Sequence, residues 1–163
     1  MVSCVFPGSF DPVTRGHMDL IRRAAGLFDH VTVTVMVNIT KKNAIPLEER
    51  IRLLKKACKD FPNVDVDSWE GLLADYLAEK KERIIIRGVR NVPEFEQEMT
   101  AAGANKMLNG SAETILIPTD PALAGVSSSA VREIASFGGD ISAFVPDSLI
   151  KDIESLLSKK TIK

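Results

Sequence analysis

A single Rossmann-like, doubly wound α/β domain with a five-stranded parallel sheet and helices on both faces is the fold that this sequence predicts, on three observations. Nearly unbroken β-branched apolar runs at 31–37, 84–86 and 114–117 have the composition of strands covered on both faces, the environment of a parallel sheet. Segments with apolar residues at helical spacing separate these runs. A chain of 163 residues with 45% hydrophobic content holds one sizeable core and has no room for a second domain. The domain is assigned to 1–157, with 158–163 a loose basic tail.

The elements follow in order. An apolar start, Val2 to Phe6, makes the first strand, and Pro7 and Gly8 turn it into a loop. Met18, Leu20, Ile21, Ala24, Ala25 and Phe28 then recur at helical spacing, which puts His17 in the first turn of a helix. After the second strand at 31–37, Ile51, Leu54 and Cys58 share one face of a helix over 47–61, and a short strand follows at 63–66. A helix at 72–79 leads to the strand 84–86, and Phe95, Met99 and Ala102 fall in phase on a helix over 94–107. The strand 114–117 is followed by helices at 128–137 and 147–157. Cys4 and Cys58 suit reduced core thiols better than a disulfide or a metal site. His30, ahead of the second strand, reads as structural, and Trp69 and Tyr76, flanking the short third helix, read as core or pocket wall.

Charge narrows the partners. Lysines and arginines number 21 against 22 acids, a formal net charge of −1, so no global basic field argues for nucleic acid and anion binding must be local. No aromatic–basic interleaving supports RNA binding. The apolar start has no basic segment before it and breaks at Pro7-Gly8, so neither a signal peptide nor a membrane span is expected and the expected location is the cytoplasm.

Ligands of open parallel sheets bind beyond the carboxyl ends of the strands. Four loops there carry phosphate-binding groups: Ser9 and His17 after the first strand, Lys41 and Lys42 after the second, Arg87-Gly88-Val89-Arg90 after the fourth, and Ser127-Ser128-Ser129 after the fifth. His17 and the serine triplet also sit at helix starts, where free N–H groups and the helix dipole favour anions. So many donors suit a polyphosphate, and the expected ligand is a nucleoside triphosphate. The cradle is not a P-loop, because His17 follows Gly16 where Lys would stand, and it lacks the three close glycines of a dinucleotide fingerprint. Blander readings stand beside these: a turn hydroxyl for Ser9, a solvated ring for His17, a surface pair for Lys41-Lys42, salt bridges from Arg87 and Arg90 to Glu94 or Glu98, and an N-cap cluster for the serines.

Three motifs, Gly8-Ser9-Phe10-Asp11-Pro12 with Gly16-His17, Ile86-Arg87-Gly88-Val89-Arg90, and Ser127-Ser128-Ser129, resemble in order and spacing those of the phosphopantetheine adenylyltransferases of the nucleotidyltransferase superfamily, over nearly the whole chain. The resemblance implies transfer of the adenylyl group of ATP to 4′-phosphopantetheine, giving dephospho-coenzyme A and pyrophosphate. It implies catalytic roles for His17, Lys41 and Arg90, and phosphopantetheine contacts at Ser9, Lys41, Leu73 and Arg87. ATP contacts fall on Ser9, Phe10, His17, Gly88, Val89, Arg90, Glu98 and the segment Leu123, Ala124, Gly125, Val126, Ser127, Ser128 and Ser129. It further implies Mg²⁺ held mainly by the ATP phosphates with no protein metal site, a homohexamer, and coenzyme A as feedback ligand. The segment 121–126 is a residue longer than in many relatives and lacks their aromatic residue, and Gln97 stands where a larger side chain is frequent. The rival enzymes are nucleotidyltransferases acting on nicotinamide mononucleotide or using CTP. The signature of the CTP enzymes, Arg-Thr-x-Gly-Ile-Ser-Thr, is absent. The rival from another class is a non-catalytic nucleotide-sensing module, against which the intact set Ser9, His17, Lys41, Arg87 and Arg90 argues.

Overall fold

The structure, a computed structural model, describes residues 1–158, so the tail expected at 158–163 lies outside the described residues except for Ser158. Five strands, β1 (Ser3–Gly8), β2 (His30–Val37), β3 (Val64–Glu70), β4 (Ile84–Val89) and β5 (Glu113–Pro118), form one sheet in the order β3-β2-β1-β4-β5. All neighbours are parallel. The chain lays down β1, β2 and β3 toward one edge, then returns to β4 beside β1 and continues to β5. The order reverses between β1 and β4, and at such a switch point the loops diverge and leave a crevice.

Among the described residues four helices connect the strands, α1 (Arg15–Leu27), α2 (Leu47–Cys58), α3 (Leu73–Lys80) and α4 (Val92–Leu108), and two more, α5 (Ser128–Ser136) and α6 (Ile150–Leu157), follow β5. The strand period of two sorts the core into two layers. Cys4, Phe6, Val31, Val33, Val35 and Ile86 face one side, where Leu20 and Ile21 of α1, Leu53 and Leu54 of α2, Val131 of α5 and Ile153 of α6 pack. Val5 and Ile85 face the other, against Tyr76 and Leu77 of α3. The predicted two-faced covering is therefore present, with the larger core on the α1 side. Cys4 and Cys58 are free and buried, and burial pushes their thiols up to about 12 and about 11.

Several expectations are corrected. β4 runs through Val89, so Arg87, Gly88 and Val89 belong to the strand and not to the loop beyond it. Pairing with β5, which sets Arg87 against Leu116 and Gly88 against Ile117, carries the ladder past the apolar run. β3 extends to Glu70 for the same reason, pairing residue by residue with β2, so Trp69 is a strand residue and Tyr76 lies within α3. Being an edge strand, β3 buries none of its side chains. Helix α2 stops at Cys58, and residues 147–149 form a short 3-10 turn ahead of α6. Helix α4 forms where the periodicity places it but buries no residue within the chain: Phe95 and Met99 are 45% and 54% exposed.

Candidate active site

A cleft of about 540 Å³ opens over the switch point, where loops after β1, β2, β4 and β5 converge. The loop after β1 is held tightly. Phe10, at φ 47°, turns its ring inward, edge-on to Phe6 and to the imidazole of His17 at centroid distances of 5.5 and 4.9 Å. Asp11 and Val13 are buried beneath it. Helix α1 then starts with a capping box: the Thr14 hydroxyl accepts from the His17 backbone N–H at 3.3 Å, and the Thr14 backbone N–H donates to His17 Nδ1 at 3.0 Å.

That cap fixes the chemical state of the imidazole. A backbone N–H can only donate, so Nδ1 carries the lone pair and the ring proton sits on Nε2. The electrostatics agree. Burial, then the Arg87 and Arg90 guanidinium groups, pull the pKa of His17 down from 6.5 to about 4. At neutral pH His17 is an uncharged N–H donor facing a cationic cleft.

Both arginines are paired with α4. Arg87 grips Glu98 through Nε and Nη2 at 2.9 and 2.7 Å and donates from Nη1 to the Pro7 carbonyl at 2.6 Å. Arg90 pairs with Glu94 through Nε at 2.8 Å and through Nη2, and reaches the Val126 carbonyl from Nη1 at 3.1 Å. The Arg90 contacts hold the Glu94 carboxyl below the usual carboxylate range. A guanidinium has five N–H groups, so each arginine keeps two for a ligand. The salt bridges considered from the sequence thus exist, and they orient the arginines in the cleft without exhausting them.

The serine triplet divides its labour. Ser127 caps α5 by accepting from the Ala130 N–H at 3.1 Å, and the Ser128 hydroxyl donates to the Pro12 carbonyl at 2.7 Å. The Ser129 hydroxyl accepts from Arg132 at 3.2 Å. Lys41 and Lys42 line the cleft from the β2 side.

Of the residues expected at the site, Ser9, Phe10, His17, Lys41, Arg87, Gly88, Arg90, Glu98, Val126, Ser127, Ser128 and Ser129 line this cleft. Leu73 lines a second cavity of about 410 Å³, which shares Ser9, Lys41, Arg87 and Glu98 with the first and is walled by Ala101, Ala102 and Asn105 of α4. Val89, Leu123, Ala124 and Gly125 line neither, Leu123 being the last residue of a 3-10 turn. Sequence reasoning missed Thr14, Asp11, Arg50 and Arg132. Thr14 was legible as an N-cap ahead of a helical pattern. The buried Arg50 of α2, which donates to the Ser9 carbonyl at 2.8 Å, and Arg132, which donates to the Asp11 carbonyl at 2.7 Å, have no local signal, because they act across 41 and 121 residues of chain.

Among the described residues no group of three or more His, Cys, Asp or Glu could hold a metal ion. The acids of the cleft fit the same conclusion, since Glu94 and Glu98 are bound to arginines and Asp11 to backbone N–H groups.

The cytidylyltransferase-like family matches residues 5–134. A phosphopantetheine adenylyltransferase of Clostridium novyi is 44% identical over 95% of this chain and 96% of its own length. One from Caldanaerobacter subterraneus subsp. tengcongensis is 50% identical over 88% of this chain and 89% of its own. In fold the chain is similar to the nicotinic acid mononucleotide adenylyltransferase of Plasmodium falciparum, with a TM-score of 0.68 at 14% identity over 94% of each chain. The chain belongs to the cytidylyltransferase-like nucleotidyltransferases and, within them, to the phosphopantetheine adenylyltransferases.

Proposed function

We propose that the cleft transfers the adenylyl group of ATP to 4′-phosphopantetheine, yielding dephospho-coenzyme A and pyrophosphate in coenzyme A biosynthesis. The observation that carries this reading is the pair of joined cavities. One is lined by cations and two helix starts, as a triphosphate requires. The other has a mixed apolar and amide wall suited to a pantetheine arm, and Ser9, Lys41 and Arg87 stand where the two meet.

The acceptor is a phosphate monoester with a second pKa of about 6, so it is mostly ionised at neutral pH and attacks the α-phosphorus without a protein base. His17 suits this economy. Its Nδ1 is committed to the helix cap and its proton sits on Nε2, so it contributes a fixed donor dipole to the developing phosphoryl charge and moves no proton. Lys41 and Arg87 hold the acceptor phosphate, and Arg90 neutralises charge on the departing pyrophosphate. Ser9, Phe10, Gly88, Val89, Glu98 and the segment 123–129 form the nucleotide side. Mg²⁺, held mainly by the ATP phosphates rather than by side chains of this chain, would supply further charge neutralisation. The exposed apolar residues of α4 suit burial between copies, in keeping with a homohexamer. Coenzyme A, sharing the pantetheine arm with the acceptor, would compete as a feedback ligand, and the enzyme would work in the cytoplasm.

The test is pyrophosphate release with ATP, Mg²⁺ and 4′-phosphopantetheine, run beside CTP and beside nicotinamide mononucleotide. Release specific to ATP with phosphopantetheine is expected. Activity with another pair only would overturn the acceptor, and ATP binding without turnover would make the protein a nucleotide sensor.

A further inference from the structure

A carboxylate in a cleft built for polyphosphate repels its ligand, yet Asp11 sits in the cleft wall. It is 6% exposed, and both oxygens are taken: Oδ2 accepts from the Ala44 N–H at 2.9 Å and Oδ1 from the Ile45 N–H at 2.8 Å. Both donors end the loop that leaves β2 and carries Lys41 and Lys42. The start of that loop has its own turn, in which Asn38 Oδ1 accepts from the Thr40 N–H at 2.9 Å and the Asn38 carbonyl from the Lys41 N–H at 3.1 Å. Lys41, Lys42 and Ala44 are exposed, so packing does little to hold the segment between that turn and the buried Ile45. Asp11 is itself fixed. Its carbonyl accepts from Arg132 at 2.7 Å, and the neighbouring Ser9 carbonyl accepts from the buried Arg50 at 2.8 Å.

We propose that Asp11 is a positioning residue, whose carboxylate latches the β2–α2 loop to the β1 loop and so holds Lys41 over the cleft. Charge-assisted bonds from two consecutive amides fix the direction as well as the position of the loop backbone. The carboxylate spends its charge on those amides and on nearby guanidinium groups, so it presents little of it to a phosphate. This inference rests on the reading of Lys41 as a contact to the reacting phosphates.

Two readouts test it in the full chain. Amide exchange at Ala44 and Ile45 follows the latch whether or not the protein turns over substrate. In Asp11→Asn, which keeps the shape but turns a donor toward one of the amides, and in Asp11→Ala, exchange at these two positions should rise about tenfold or more while the core strands stay protected. Unchanged exchange in both variants would overturn the latch. In ATP and phosphopantetheine turnover below the unfolding range, the loss from Asp11→Asn should shrink when Lys41→Ala is already present and persist in full when Arg90→Ala is present. A general loss of stability would not make that distinction. Equal losses in the two backgrounds would overturn the positioning role. If Lys41→Ala alone left turnover unchanged, the reading of Lys41 would fall and the catalytic half of the proposal with it. If the wild-type chain turned over no substrate pair, the exchange measurement alone would decide the latch.

Discussion

Replacing His17 by Gln should change how stability depends on pH, by an amount that follows from the capping box. His17 titrates at 6.5 when unfolded and at about 4 when folded. Its folded pKa is depressed, so between these values the unfolded chain binds more protons and stability falls as pH falls. Linkage gives a penalty near zero at pH 7, about 2 kcal/mol at pH 5 and about 3 kcal/mol once pH passes below 4. Glutamine does not titrate in this range, so His17→Gln lacks that penalty whatever its fixed cost to the cap. Urea unfolding of both proteins at pH 7 and pH 5 measures the difference, with the wild type losing about 2 kcal/mol more than the variant over that interval. His17 and His30 are the two histidines of the chain, so the His17 imidazole resonance is assigned by its absence from the variant and gives an independent midpoint. Parallel pH dependences would refute the depressed pKa, and a His17 midpoint above about 7 would refute the neutral Nε2–H state and with it the fixed-donor role.

Three further outcomes are expected. Arg87→Lys should lower kcat/KM for the phosphate acceptor by about 10- to 100-fold, because an ammonium cannot reproduce the two bonds to Glu98, the Pro7 contact and the free donors together; steady-state kinetics would check this. Gly88→Ala should destabilise the fold by about 1–3 kcal/mol in urea unfolding, since the new Cβ would lie 2.3 Å from Leu20 Cδ1, and Leu20→Ala in the same chain should recover part of the loss. Met99→Glu, on the exposed stripe of α4, should lower the sedimenting mass without altering the circular dichroism of the folded chain.

The fold was legible because its strands advertise themselves: runs such as 31–37 can be satisfied only between two covered faces, and the order of strands and helices leaves few parallel topologies. Ends were less legible. Arg87 and Gly88 join β4 through register with β5, which no local composition encodes. Most of the cleft lining was visible too, since strand-end loops collect polar and cationic side chains in this architecture. What stayed hidden were the supports: Arg50 and Arg132 reach distant carbonyls, and Asp11 receives amides 33 and 34 residues away. The glutamates of α4 were visible as alternative partners of the arginines, but only the folded chain shows each arginine pairing with its glutamate and lining the cleft together.

Helix α4 joins two surfaces that are otherwise far apart in purpose. It supplies the carboxylates that aim Arg87 and Arg90, and it leaves its own apolar residues uncovered by the chain it belongs to. A helix with no buried side chain is held by partly covered contacts with β4, β5 and α3 and by those ion pairs, so copies covering it in the proposed homohexamer would also stiffen the aim of the cations. Turnover per chain would then obey mass action, holding constant while copies stay together and declining on dilution as lone chains accumulate. In the proposed assembly, a protein built this way would couple its catalytic competence to its own concentration through a single helix.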